Sequence, residues 1–160
     1  MSGRYNRTIR VPLTLNSGAA FAVTLDAYTQ YDIVGGLSKF TYGTGGGAWL
    51  LGLEVIDDAN QKEPYLVHIY KNAVGLTAIA NDAAAAFDAA DGALEIGLVT
   101  VAAVDYVTAN GSAYAKAYVD CSVKVDESSA GVIYVYLEAL LTPDYAAVGD
   151  LVINGVFWVE

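Results

Sequence analysis

The strongest hairpin signal in this chain is Asn110-Gly111, followed by the alternating run SAYAKAYVDCSVKV at residues 112–125. Asn and Gly both tolerate positive φ, so the pair suits the tight type I′ turn of a β-hairpin. Short runs of Val, Ile, Leu, Tyr and Thr, separated by Gly, Asn and Asp, recur on both sides of it and are typical of strands and turns. We predict about nine strands, at residues 8–15, 20–25, 33–42, 48–56, 65–70, 94–101, 112–125, 132–141 and 151–159.

The number and spacing of these runs predict an all-β fold, either an antiparallel β-sandwich or a jelly-roll-like barrel. Pro12 cannot donate to a strand ladder, so the first run is expected at a sheet edge. The run at 48–56 is almost continuously apolar, which favours a strand covered on both faces. The exception is NDAAAAFDAADG at 81–92, which predicts a short helical crossover of two or three turns, with Phe87 docked into the body.

The charge of the chain is unevenly distributed. Its 160 residues fit one domain, with 55% hydrophobic and only 16% charged residues and a formal net charge of −10. Three of the eight basic residues, Arg4, Arg7 and Arg10, and none of the eighteen acidic ones lie in the first ten positions, so the remainder carries −13. We therefore predict a basic N-terminal arm at 1–12 on a β domain at 13–160, with the arm docking on an acidic neighbour. A solvated terminus is the alternative.

Several classes of protein are disfavoured by composition. The acidic balance argues against nucleic acid as a partner, because phosphate binding needs clustered Lys and Arg. A single cysteine, Cys121, excludes an intrachain disulfide framework. The start MSGRYNRTIR has no apolar h-region, and no apolar run is long enough to span a bilayer, so we expect a soluble protein made in a cytoplasm, without a membrane partner.

No catalytic arrangement can be identified from the residues. His68 is the only histidine and lies inside an alternating strand between Val67 and Ile69, so we interpret it as a strand residue satisfied locally. Cys121 has no basic neighbour to lower its pKa. We predict no enzyme activity and no cofactor, although a pair of carboxylates from two strands, as in a glycosidase, stays a remote alternative.

Aspartates and glycines are concentrated in the loops, where metal and phosphate sites are commonly found. Asp57 and Asp58 share one loop, and Asp82, Asp88 and Asp91 share the alanine-rich connection, but neither group has the spacing of a calcium-binding EF-hand loop. We interpret them as caps and turn formers, with Asp82 capping a helix and Asp57-Asp58 closing a hairpin, and predict no metal site. The glycine-rich stretch 43–47 lacks a following Lys and precedes a strand, so it is not a phosphate loop.

Tyrosine is the enriched residue type, with twelve in the chain. Tyrosines on strands can pack a sheet, form a protein-contact face, or form a stacking face for sugars. We predict packing for most of them, and name Tyr28, Tyr31, Trp49 and Trp158 as candidate aromatic contacts.

Several phrases together resemble small structural proteins encoded by tailed bacteriophages. They are YTQYDIVGGL at 28–37, the acidic, alanine-rich connection at 80–91, and a closing strand pair from VIYVYL at 132–137 through TPDY at 142–145 to 151. The resemblance covers about residues 26–155 and rests on glycines and aspartates at turns. It is closest to the head decoration, or cement, proteins.

This resemblance implies a β-sandwich or jelly-roll subunit, often a homotrimer, that binds the major capsid protein and reinforces the shell on the capsid surface of the virion. A tail or neck protein would share the same traits. A carbohydrate- or receptor-binding module that uses exposed Tyr and Trp is the alternative from a different class.

Overall fold

The structure is a computed structural model that describes residues 7–43, 47–108, 113–126 and 130–159. It contains two antiparallel sheets. The strands are β1 (Arg7–Pro12), β2 (Thr14–Leu15), β3 (Asp32–Thr41), β4 (Ala48–Asp57), β5 (Tyr65–Tyr70), β6 (Ala83–Ala84), β7 (Glu95–Val101), β8 (Tyr106–Val107), β9 (Ala115–Val125), β10 (Val132–Ala139) and β11 (Leu151–Val159). One helix, α1 (Ala89–Leu94), and a single 3-10 turn (Ala103–Asp105) complete the elements of the described residues.

The strand order is that of a jelly roll. One sheet, here the β4 sheet, runs β1-β11-β4-β9-β8, and the other, the β5 sheet, runs β2-β3-β10-β5-β7, with β6 also paired to β3. Among the eight long strands the first pairs with the last (β1–β11), the second with the seventh (β3–β10), the third with the sixth (β4–β9) and the fourth with the fifth (β5–β7). The chain is thus one long hairpin rolled into two sheets, and the predicted antiparallel sandwich is confirmed.

The first predicted strand is divided between the two sheets. Residues 7–12 of the predicted arm form β1 and pair with β11 at the edge of the β4 sheet, where Pro12 lies opposite Asn154. The chain then crosses at the buried Leu13, and β2 joins the β5 sheet. Because Ile9 and Val11 point into the core, this part of the arm belongs to the domain. Residues 1–6, including Arg4, lie outside the described residues.

The predicted strand at 20–25 is wrong. The segment makes one isolated bridge, between Ala20 and Thr14, and no ladder. Its alternating pattern is real, because Phe21 and Val23 are buried, but it packs across an end of the sandwich and the Val23 N–H bonds to the carbonyl of Val148. In this segment, alternate side chains are therefore buried although the backbone does not pair with a sheet.

The apolar run of β4 has one covered face rather than two. Leu50, Leu53 and Val55 are completely buried between the sheets, whereas Trp49 and Leu51 on the other side are half-buried. A β-bulge at Leu51, opposite the step from Val156 to Phe157 in β11, adds a residue to β4, so that the inward positions change from even to odd numbers. The bulge, not double coverage, explains the nearly continuous apolar run.

The alanine-rich connection forms a strap, residues 71–94, over the outside of the β5 sheet. Its helix begins later than predicted: Asp88 is the N-cap of α1 and forms a capping box with Asp91. Asp82 instead occupies a turn with φ of 59°, and the next two residues form β6. Phe87 docks as predicted, with its ring near those of His68, Tyr70 and Tyr136.

The loop after β4 joins two sheets rather than two paired strands. Asp57 ends β4 in one sheet, and β5 begins in the other, so Asp57 and Asp58 do not close a hairpin. The predicted turn at Asn110-Gly111 lies outside the described residues. The strands on either side of it, β8 and β9, pair antiparallel with Tyr106 opposite Ala117, as a hairpin requires.

Candidate functional site: the outer face of the β4 sheet

The two sheets differ in how their outer faces are covered. The strap covers the β5 sheet except at its β7 edge, where Leu98 is 52% exposed, and forms a second small core with it, in which Ile33, Tyr70, Ile79 and Tyr136 are buried. The outer face of the β4 sheet has apolar side chains that remain accessible, with Tyr118 50%, Val107 71% and Val152 40% exposed. Exposed apolar area collected on one face indicates a contact surface rather than scattered surface residues.

The strand register arranges this face in rows. Trp158 of β11 lies directly opposite Trp49 of β4, and Lys124 of β9 follows on the other side of Trp49. Both tryptophans are half-buried. Cross-strand neighbours on one face stand close enough to be contacted together, so the two indoles and the lysine form one continuous patch.

A buried carboxylate anchors the neighbouring row. Glu54 is only 8% exposed, yet it points to the outer face, where Arg10 from β1 and Lys116 from β9 both form ion pairs with it. The Asn154 side-chain amide donates a third bond to it at 3.0 Å. The paired carboxylate is satisfied, as burial demands. The two cations keep 52% and 44% of their side-chain surface exposed.

The charges on this face are balanced, in a protein whose formal net charge is −10. The face carries Arg10, Lys116 and Lys124 against Glu54, Asp120 and Asp105, and Asp105 borders the surface formed by Val107, Lys116 and Tyr118. Glu54 lies beneath two of the cations, so the cations are more exposed than this carboxylate. Exposed cations grouped on one face attract acidic groups of a partner.

The end of the Tyr118 side chain lies over Gly52 on this face. A Cβ added to Gly52 would come within 2.5 Å of the Tyr118 hydroxyl oxygen, so the phenol keeps this position only above a glycine. Tyr118, Glu54 and Lys116 were not among the predicted contact residues. The signal was present in Glu54, the only charged residue between Ala48 and Ile56 in an otherwise apolar strand.

The predicted contact residues separate into three environments. Trp49 and Trp158 come together on the outer face of the β4 sheet. Tyr31 is 52% exposed just before β3, in the other sheet. Tyr28 cannot serve as a surface contact, because it is 1% exposed and its hydroxyl accepts from the Thr24 N–H at 2.7 Å and donates to Asn81 Oδ1 at 2.8 Å.

The predicted basic residues also separate. Arg10 belongs to the face, where it is paired with Glu54. Arg7 is exposed at the start of β1, opposite Val159. By the alternation of the strand it lies on the same side as the inward-pointing Ile9 and Val11, and so not on the outer face. The grouping of cations therefore depends on strand register across β1, β9 and β11, and not on closeness in sequence.

His68 is satisfied locally, as predicted. Its Nδ1 lies 3.1 Å from Glu95 Oε2 and its Nε2 lies 2.8 Å from Glu138 Oε2, and the Phe87 ring packs 4.5 Å away. The two carboxylates lie on opposite edges of the ring, so they cannot join His68 around one metal ion. The described residues contain no group of three or more His, Cys, Asp or Glu side chains suited to a metal.

Cys121 and the strap aspartates have structural roles. Burial, and secondarily Asp120, raises the pKa of the Cys121 thiol to about 11, so it is not an activated nucleophile. Burial acts to raise the pKa of Asp91, but the backbone N–H groups of Asp88 and Thr77 outweigh it and hold that pKa below its usual range. Asp88 and Asp91 are thus caps, as predicted.

The glycine-rich stretch ends at Gly47 and is followed directly by β4, so no helix begins there, as predicted; residues 44–46 lie outside the described part. In the parts of the chain that the structure describes, no helix is long and apolar enough to cross a membrane.

No protein family, curated protein or solved structure matches this chain. The class of protein is therefore defined by its own geometry: it is a jelly-roll domain in which one sheet is covered by the strap and the other is open, with aromatic side chains and three cations on its outer face.

Proposed function

We propose that this protein is a non-enzymatic structural protein that attaches to an acidic protein shell through the outer face of its β4 sheet. The setting is the one implied by the sequence resemblance: a decoration protein on the capsid surface of a tailed bacteriophage, bound to the major capsid protein. The observation that carries the proposal is the asymmetry between the covered β5 sheet and the open β4 sheet.

The composition of the open face supports protein contact. Tryptophan, tyrosine and arginine are the residues that contribute most to protein interfaces, and Trp49, Trp158, Tyr118 and Arg10 share this face. Lys116 and Arg10 are already held by Glu54, so little side-chain freedom is lost when a partner binds them.

A lattice multiplies modest contacts. A decoration protein that self-associates, with a homotrimer favoured, contacts the shell at several equivalent points, and the linked contacts raise the overall affinity without any new residue. Light scattering coupled to size-exclusion chromatography measures the free oligomer.

The test is co-sedimentation with capsids that lack the protein, prepared from the phage whose genome encodes the chain. We expect Trp158→Ala to weaken shell binding by at least about 30-fold, the effect of losing an interface anchor worth about 2 kcal/mol. Lys124→Glu is expected to weaken shell binding as well. Its effect should be larger at low salt than at high salt, because salt screens exposed charges.

Lys39→Glu is the matched control. Lys39 lies on β3 in the other sheet, where its ammonium group donates to the Asn16 carbonyl at 2.8 Å on an exposed surface. It changes net charge as Lys124→Glu does but leaves the face intact. Equal loss of binding in both lysine variants, or none in Trp158→Ala, would contradict the proposal. A coding sequence outside any phage or prophage would contradict the phage setting, and occupancy of tails in place of heads would move the protein to the tail or neck.

The same tryptophan pair is also the kind of platform on which sugars stack. A glycan array distinguishes the two functions: glycan binding that Trp49→Ala abolishes, together with no shell binding, would replace the proposed function with a carbohydrate-binding one.

A further inference from the structure

Three buried oxygen atoms without a hydrogen-bond partner among the described residues lie at one end of the sandwich. They are Asp57 Oδ1, Glu63 Oε2 and Tyr106 Oη. Asp57 is 1% exposed and Tyr106 is 6% exposed. Buried polar atoms are rarely left unpaired, because each costs about 1–3 kcal/mol. Three in one region point to a ligand.

The fold brings the three side chains together from separate elements. Asp57 ends β4, and Glu63 lies in the loop before β5. Tyr106 of β8 lies opposite Ala117 of β9, which in turn lies opposite Val55 of β4. Two strand spacings are about 10 Å, and the long phenol of Tyr106 covers most of that distance.

Small neighbours leave the space that this reach requires. Ala115 and Ala117, completely buried on the inward face of β9, separate Tyr106 from Asp57 and Val55. The electrostatic neighbours agree with this placement: burial raises the pKa of the Tyr106 phenol, and the carboxylates of Asp57 and then Glu63 raise it further.

The loop that carries the two carboxylates is fixed before any ligand arrives. Asp57 uses Oδ2 to accept from the Lys62 N–H at 2.6 Å, which leaves Oδ1 free. The Asp58 N–H donates to the Asp150 carbonyl at 2.7 Å. The Asp144 N–H donates to the Gln61 side chain at 2.9 Å. A preformed loop loses little entropy when it binds a ligand.

In the part of the chain that the structure describes, no Lys, Arg or His forms an ion pair with Asp57 or Glu63. Burial raises the pKa of Asp57 even though loop N–H groups oppose it, and burial together with Asp57 raises the pKa of Glu63. A cation between the two carboxylates would remove both the repulsion and the desolvation cost. Carboxylate and neutral oxygen ligands suit a hard cation such as calcium.

We infer that Asp57, Glu63 and Tyr106 form a binding site for a hard divalent cation, with calcium as the best match. The site has two carboxylates and a phenol, a donor set that differs from a cluster of three acidic or imidazole ligands. It is independent of the proposed contact face, which lies on the opposite side of the β4 sheet from Tyr106.

Terbium luminescence tests the site directly, because terbium replaces calcium and is sensitised by a tyrosine beside it. We expect saturable terbium emission from the full chain, displaced by calcium but not by equal potassium. Thermal unfolding should shift upward by about 5–10 °C when calcium exceeds its Kd a hundred-fold, relative to protein in EDTA.

Three variants locate the effect. Asp57→Asn is expected to abolish both signals, whereas Asp58→Asn, at the exposed neighbouring carboxylate, should leave both unchanged. Tyr106→Phe removes one oxygen atom and keeps the ring, so it should fold even if Asp57→Asn does not, and should weaken calcium binding by at least about ten-fold. No emission and no thermal shift in the full chain, or equal signals in Tyr106→Phe and the full chain, would overturn the inference.

Discussion

Replacing Phe87 by alanine removes the side chain that fastens the strap to the β5 sheet. The ring lies 4.5 Å from His68, 5.5 Å from Tyr136 and 6.2 Å from Tyr70, measured between ring centroids. The strap's other apolar contacts come from Ile79, which is 7% exposed, from Leu76 and Leu94, and from smaller side chains such as Ala83 and Ala85. Phe87 is the strap's only aromatic side chain and, together with Ile79, holds the strap against the sheet.

The magnitude follows from burial and ring contacts. Truncating a fully buried Phe to Ala costs about 3–5 kcal/mol, and half-burial of Phe87 reduces this to about 2 kcal/mol. The lost aromatic contacts with Tyr70 and Tyr136 add about 1 kcal/mol. We expect the free energy of unfolding to fall by about 3 kcal/mol, which lowers Tm by about 6–12 °C for a chain of this length.

Denaturant unfolding measures the free energy, and amide hydrogen exchange locates the change. The Thr77 N–H is bonded to Asp91 Oδ1 at 2.7 Å and the Ile79 N–H to Tyr136 Oη at 3.2 Å, so both amides report on the strap. In Phe87→Ala they should exchange much faster, while amides of β4 and β11 keep their protection relative to global unfolding.

Val107→Ala is the control on the open face. Val107 is 71% exposed, and its truncation should change the free energy of unfolding by less than about 0.5 kcal/mol. If Phe87→Ala costs no more than Val107→Ala, or if the strap amides stay protected, the strap does not cover the sheet in the way described, and the contrast between the two outer faces loses its basis.

Three further predictions use other parts of the fold. Gly97→Ala should lower the free energy of unfolding by about 1–3 kcal/mol in a denaturant titration, because its Cβ would lie 2.6 Å from Val123 Cγ2. Gly92→Ala in α1 is the control: its Cβ meets no atom within 4 Å, so the substitution should raise the free energy of unfolding by about 0.5–1 kcal/mol. The pKa of Asp91 is lowered in the folded state, so its stabilising contribution is present above the unfolded pKa of about 3.9 and is lost as pH falls through the folded pKa. Asp91→Asn should therefore lower the free energy of unfolding at pH 7. In thermal melts, the difference in Tm between this variant and the unmodified protein should shrink as the pH is lowered. Cys121, with its pKa raised to about 11, should react with a thiol reagent at pH 8 far more slowly in the folded protein than in denaturant, and equal rates would show that the thiol is exposed and ionised.

The strands that could be predicted are those in which period-two burial and sheet pairing coincide. Five strands lie within a few residues of their predicted bounds: β3, β5, β7, β10 and β11. Each has one face in a core and pairs with at least one neighbouring strand. Residues 20–25 show the limit: Phe21 and Val23 alternate inward as a strand would, but backbone pairing depends on where the rest of the chain lies. The local pattern of apolar residues therefore indicates which side chains are buried, but it does not indicate which strands pair.

The helix was displaced for a similar reason. Alanine content favoured a start near Asn81, but β3 offers an edge to Ala83 and Ala84, and pairing with Asp32 and Ile33 prevails over helix propensity. The helix begins only after Asp88, where the capping box with Asp91 satisfies the first N–H groups. The sequence contained both caps, and tertiary contacts selected between them.

The open face could be predicted only in part. Trp49 and Trp158 were identified as aromatic contacts, but their adjacency depends on the register between β4 and β11 and on the bulge at Leu51. Arg10, Lys116 and Glu54 are more than forty positions apart from one another, and only the strand order β1-β11-β4-β9 gathers them. Of the basic residues predicted in the arm, Arg10 joins Lys116 on this face through Glu54, a grouping that the sequence did not indicate.

That face is more costly to build than a solvated surface requires. A sheet exposed to water needs only polar residues on its outer positions. Here a carboxylate is buried to 8% exposure and held by two cations and an amide, and a glycine at 52 is needed for Tyr118 to lie across it. Buried ion pairs contribute little net stability, because desolvation offsets the attraction. Their benefit is geometric: Arg10 and Lys116 are fixed at defined positions beside the tryptophan pair, which is what a surface that meets a repeating partner needs.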